Sequence, residues 1–280
     1  LSFPYSNIDG MIPKFTGNNV LRNLDLRSTN IEGGRPPMPS NNGISGRRFV
    51  AWDDTFADCV NTLVNLRLIG PYLGRNIGIY DSGTQTYTSA SFQGSTFNLP
   101  FLERLDIISF GEYLRGEFFS ISGLTSLRFL NSYSSGWGKD LSDGTPLPSF
   151  QGKNSLQEVR LYNNNFSGEI NLKNLPSLTK IILRQNNLST FGDYEGLNNL
   201  ILLSVSNNPN LTGSLPNFST GSPNIRTISL NGCNLNSYIQ GSITDLVKMR
   251  SIDLANNSFN TSSIDTILND CLVNYSNSPR

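Results

Sequence analysis

Histidine, the commonest general base near neutral pH, is absent from all 280 residues. The carboxylates in strand-like segments, Asp25, Asp106 and Asp253, are expected on strands far apart in the stack. There is no Gly-x-Ser-x-Gly elbow, no phosphate-cradling glycine loop and no cluster of metal ligands. A carboxylate pair from neighbouring loops, the device of glycoside hydrolysis, is the one hydrolytic arrangement left open. Cys59, Cys233 and Cys271 make neither a disulfide framework nor a zinc pattern, and they read as inward-packed structural thiols. No metal or other cofactor is implied. The chemistry that remains is adhesive. Arg67, Arg160 and Arg184 are interleaved with Ile69, Ile108, Phe129, Tyr133, Tyr162, Ile182 and Leu202, and arginine among aromatic and apolar residues is the composition of interface anchors. Strands favour β-branched and aromatic residues in any case, so packing competes with binding as the explanation.

The elements that must position these residues show in residues 155–170, SLQEVRLYNNNFSGEI. Leu156, Val159 and Leu161 alternate as in a strand, and the run Asn163, Asn164, Asn165 then marks a bend. Twenty-two residues later Leu178, Ile181, Leu183, Asn186 and Leu188 repeat the pattern. Leu200, Leu203, Val205, Asn208 follow, with Leu211 one residue late, then Ile225, Ile228, Leu230, Cys233, Leu235, and Met249, Ile252, Leu254, Asn257, Phe259. Self-similarity at this period signals a stacked repeat. Degraded copies start near 21, 63, 102 and 127, which makes nine strand segments. In the copy near 127, Ser132 occupies a core position, Ser135 replaces the asparagine and Trp137 closes the repeat.

The spacing L-x-x-L-x-L-x-x-N-x-L resembles that of the leucine-rich repeat family. The resemblance implies an α/β repeat solenoid, a horseshoe or superhelix with a parallel β-sheet on its concave face and short helices and loops outside. In such a fold Asn164, Asn186, Asn208, Cys233 and Asn257 form a structural ladder at the bend, their side chains satisfying buried backbone groups. The tails FSGEI, LTGSLP and IQGSI resemble the L-x-G-x-I-P tail of plant-type repeats and imply an extra short strand after the turn. The arginine and apolar set then falls on the concave face.

Residues 1–280 read as one solenoid, with a partial repeat over 1–20 and a last outer segment over 264–275. The start within a repeat predicts a fragment of a longer chain. Inserts over about 32–62 and 74–101 carry Arg35, Arg47, Arg48, Trp52, Tyr80 and Tyr87, and loops of this kind often serve as binding faces. Zero formal net charge argues against nucleic acid as a partner. No apolar run is long enough to span a bilayer. Seven glycosylation sequons begin at Asn165, Asn187, Asn210, Asn217, Asn256, Asn260 and Asn274. With 36 asparagines, chance alone predicts about seven, so their number places no source.

Two function classes follow. One is a non-enzymatic extracellular recognition or adhesion module that binds a protein or glycan at a cell surface, bacterial surface or phage fibre. The other is an architectural component whose open ends stack on neighbouring subunits or domains of a larger particle or filament. The repeat tails add a plant-type receptor ectodomain as a third.

Overall fold

The computed structural model describes residues 1–2, 17, 19–27, 59, 61–69, 79–81, 86–88, 98–108, 116–139, 141–192 and 194–277, with the backbone alone at 27, 69, 79–81 and 86–88. Arg35, Arg47, Arg48 and Trp52 of the first insert lie outside these residues. The chain forms two compact units, Leu1–Pro148 with Asn163–Asn165, and Ser149–Tyr162 with Phe166–Arg280.

In the first unit, β1 (Asn23–Arg27) and β2 (Asn65–Ile69) pair in parallel. Part of the second insert forms an antiparallel hairpin of β3 (Ile79–Asp81) and β4 (Thr86–Thr88), which sets Tyr80 opposite Tyr87. The ladder resumes with β5 (Arg104–Ile108) on β2 and β6 (Phe129–Asn131) on β5. Strand spacings of 42 and 39 residues therefore leave the ladder intact, because parallel strands are joined by crossovers whose length the sheet does not fix. Ser2 bridges Asp25 in parallel, and the Leu1 amine donates to the Asn23 carbonyl at 2.8 Å. Leu63, Leu66, Leu102, Leu105, Leu127 and Leu130 are completely buried, each worth about 1.5–3 kcal/mol.

The serine at a core position has a specific explanation. Ser132 Oγ donates to the Ile107 carbonyl at 2.6 Å and accepts the Trp137 indole N–H at 2.8 Å. Trp137 is fully buried, edge-on to Phe118 and Phe119. One large ring fills the volume a leucine would take, and the hydroxyl satisfies its only polar atom. Nearby, β7 (Thr145–Pro146) receives the Phe118 N–H on Thr145 Oγ1 at 3.0 Å.

The second unit holds the regular repeats. Its sheet runs β8 (Glu158–Arg160), β10 (Lys180–Ile182), β12 (Leu202–Ser204), β14 (Thr227–Ser229) and β16 (Ser251–Asp253), all parallel and in step. After the turns that follow β8, β10, β12 and β14 comes an extra short strand, within the tails FSGEI and LTGSLP as expected but ahead of IQGSI, and among the described residues none follows β16. β9 (Phe166–Ile170) pairs with β11 (Asn187–Phe191), and β13 (Thr212–Ser214) with β15 (Asn234–Ser237). The outer segments are tight turns, apart from the four-residue α1 (Phe218–Gly221) and the terminal α2 (Thr261–Asn277). Together the parallel ladders, buried leucines and turn asparagines make this a leucine-rich repeat solenoid.

The asparagines at the bend divide the work by position. Asn186 Nδ2 donates to the Leu183 and Leu161 carbonyls at 2.8 and 3.1 Å, while its Oδ1 accepts the Phe166 N–H at 3.1 Å. Asn208 does the same with Val205, Leu183 and the Leu188 N–H, and Asn257 with Leu254, Leu230 and the Leu235 N–H. In the first unit, Asn164 Oδ1 accepts the N–H groups of Ser135, Gly136 and Trp137. Asn186, Asn208 and Asn257 thus each close their own turn and tie down the preceding one, and Asn164 ties down the turn before it. Cys233 reproduces only the donor half, with Sγ 3.5 Å from the Val205 carbonyl. The preceding turn compensates: Leu211, one residue late in the sequence, gives its N–H to the Asn208 carbonyl at 2.9 Å. The residue before each ladder position, Ser134, Asn163, Gln185, Asn207, Gly232 or Asn256, has a left-handed backbone with φ between 51° and 68°. Asparagine and glycine tolerate that region best, which accounts for the recurring Asn-Asn pairs.

Candidate binding face

Alternation along each strand sends one set of side chains inward and the other onto the sheet face. On the first unit the outward set is a charge network. Arg67 Nε donates to Asp106 at 2.6 Å, its Nη1 lies 3.6 Å from Asp25, and Arg104 Nε donates to Asp106 at 3.1 Å. Asn131 Nδ2 adds a 2.6 Å bond to the other Asp106 oxygen. Asp106 is nearly inaccessible, and a buried carboxylate needs this saturation by cations and donors. The Arg104 guanidinium also stacks 4.9 Å from the Phe129 ring centre, with Arg128 on the same ring at 5.7 Å.

Three expectations change here. Arg67 is a bridge between two carboxylates, so its charge is already spent. Asp25 and Asp106 are not far apart in the stack: β1, β2 and β5 are consecutive, and a single arginine spans them. Ile108, expected on an open face, is 3% exposed, because it is a short branched side chain on a strand flanked by β2 and β6. Phe129 and Tyr133 are half-buried on this face, and the Ile69 side chain lies outside the described residues.

On the second unit, Arg160 and Lys180 both pair with Glu158, Lys180 at 3.8 Å. Tyr162, Ile182 and Leu202 are half-buried, each presenting part of its side chain. Arg184 is exposed, with its guanidinium 4.8 Å from the Tyr162 ring centre, and among the described residues it has no carboxylate partner. Cation–π contact holds that charge in place without neutralising it. Further along, the face is small and polar: Ser206 and Ser229 share a 2.7 Å hydrogen bond, and Ser229 reaches Asn231 at 3.4 Å. Arg160 finds its carboxylate two residues back on its own strand, whereas the partners of Arg67 and Arg184 come from neighbouring strands, which no spacing along the chain reveals. Among the described residues, no group of three histidine, cysteine or acidic side chains could hold a metal.

No protein-family model matches the chain, and no curated protein sequence does either. Among solved structures it is similar to the plant peptide hormone receptor RGFR1, solved in complex with RGF2. The TM-score is 0.62 at 20% sequence identity over 93% of this chain and 37% of the receptor. The chain therefore spans little more than a third of that receptor's length, and at this identity the likeness establishes the fold.

Proposed function

We propose that this chain is a recognition segment of an extracellular receptor-type leucine-rich repeat protein, and that it binds a peptide or protein on its sheet face. The carrying observation is the exposed Arg184, without a carboxylate partner among the described residues, held over Tyr162 and flanked by the partly open Ile182 and Leu202. Arginine and tyrosine with adjoining apolar surface are the residue types that concentrate binding energy. Arg160 borders the same surface with its charge engaged by Glu158, so its contribution is shape more than charge. The plant receptor of similar fold is a peptide-hormone receptor, which favours a peptide or protein partner over a glycan and an extracellular setting. Among the described residues, no helix is long and apolar enough to cross a membrane.

A random peptide library selected on the wild-type chain tests the reading. Peptides enriched there should bind the Tyr162→Ala, Arg184→Ala double variant at least about fivefold more weakly, or about 1 kcal/mol. Unchanged affinity by calorimetry would move the site to the inserts or the ends of the stack.

A further inference from the structure

Sequon number carries no information in a chain this rich in asparagine, but the geometry of each amide does. An N-glycan replaces one hydrogen on Asn Nδ2, so an acceptor in the folded protein needs that nitrogen turned to solvent. Asn260 is exposed, and its Oδ1 accepts the Ser263 N–H at 2.8 Å at the start of α2. Asn217 is exposed at the start of α1, where its Oδ1 accepts the Thr220 N–H at 3.3 Å. A capping asparagine that aims its oxygen at the helix amides aims its nitrogen away from them. Asn256 is exposed on the turn after β16 with a left-handed backbone, φ 54°, and the next residue, Asn257, takes the ladder role.

Two other sequons are closed by the same criterion. Asn274 is 5% exposed, and its Nδ2 donates to the Ile243 and Thr244 carbonyls at 3.0 and 3.3 Å. Asn165 Nδ2 donates to the Gly138 and Leu141 carbonyls at 2.8 and 3.4 Å. Asn210 Nδ2 donates to Asn187 Oδ1 at 2.5 Å, and this pair stands outside the assignment. None of the seven lies on β8, β10, β12, β14 or β16.

We infer that Asn217, Asn256 and Asn260 are N-glycan acceptors, that Asn165 and Asn274 are not, and that the glycans leave the binding face bare. The inference rests on the extracellular reading above. In the transfer, Asn Nδ2 bonds to the anomeric carbon of a lipid-linked oligosaccharyl pyrophosphate. The carbon–oxygen bond to the pyrophosphate breaks, the pyrophosphate leaves with the electron pair, and the amide loses one proton. The donor and the transferase belong to the secretory pathway.

The test is secretion of the chain from a eukaryotic cell, followed by enzymatic glycan release in heavy-oxygen water and peptide mass mapping. The expected result is isotope label at all three assigned asparagines and none at Asn165 or Asn274 in the folded, secreted fraction. Absence of label at any of the three, or any label at Asn165 or Asn274, overturns the assignment. Ser219→Ala, Ser258→Ala and Ser262→Ala together remove the three sequons and keep every asparagine, including the helix caps. That variant should lose the glycan mass while binding the selected peptides as the wild type does, and weakened binding would overturn the claim of a bare face. Tyr162→Ala with Arg184→Ala should keep the label, so failure of the binding reading and failure of the glycan assignment are told apart.

Discussion

At the scale of single residues, the polar groups that look interchangeable in the sequence have fixed and different tasks. Asn208 is fully buried and makes three hydrogen bonds to backbone groups of two turns. Asn208→Ala should cost about 2–3 kcal/mol, read by chemical denaturation, because it strands buried backbone groups as well as losing bonds. Lys153 has a contrasting position. It is buried three residues before Leu156, where the regular repeats at Leu175 and Leu197 place leucine. Burial pushes its amine below the usual 10.5. Between its folded pKa and 10.5 the unfolded chain binds more protons, so stability should rise with pH across that window. Lys153→Leu should remove this rise in melting temperature with pH, and its persistence would place the titrating group elsewhere.

At the scale of elements, each repeat is a strand that cannot stand alone. Leu183 is fully buried between strands of the second unit, and Leu183→Ala should lower stability by about 2–5 kcal/mol. An unchanged melting curve would contradict its inward orientation. Turns are equally constrained where backbones meet. Gly138 has φ 73°, and a Cβ there would lie 2.5 Å from the Asn165 carbonyl and 2.6 Å from the Thr145 nitrogen. Gly138→Ala should therefore destabilise by more than about 1 kcal/mol, since backbone atoms cannot swing aside as a side-chain tip would. The last repeat shows the converse. Ile252, Leu254 and Phe259 stay half-exposed, while their counterparts one repeat earlier, Ile228, Leu230 and Leu235, are fully buried. α2 is fastened by polar bonds instead: Asp270 accepts the Tyr238 hydroxyl and the Gly241 N–H, each at 2.6 Å. Burial and that carboxylate push the Tyr238 hydroxyl far up, so it keeps its proton and the bond at any ordinary pH.

At the scale of the whole molecule, zero net charge removes long-range steering, and recognition has to come from local contacts. Tyr133 and Tyr162 are each half-buried on a sheet face. Replacing both with alanine should leave far-ultraviolet dichroism and the melting temperature nearly unchanged, since partly exposed positions tolerate substitution. Binding of the selected peptides should weaken by more than about 1 kcal/mol. A large loss of melting temperature would show that these rings hold the fold together and are not available for contact.

The repeat period, the nine strands, the ladder positions and the inward leucines were legible in the sequence, because each strand and turn is set by a short local pattern repeated in register. Even the late Leu211 and the odd Cys233 were visible, although only the hydrogen bonds show that each answers the other. The left-handed residue before each ladder asparagine went unread, since its signal is a backbone angle that several residue types can adopt. The candidate face divided differently. Its residue types and outward direction followed from alternation, but Arg67, Arg160 and Arg184 look alike in the chain. Arg160 pairs with Glu158 on its own strand, but tertiary structure decided that Arg67 bridges carboxylates of the two flanking strands and that Arg184 stays open over Tyr162. The reason is physical: a strand's own sequence fixes which way a side chain points, while what it meets there is set by the strands laid beside it, whose sequence distance varies with every insert.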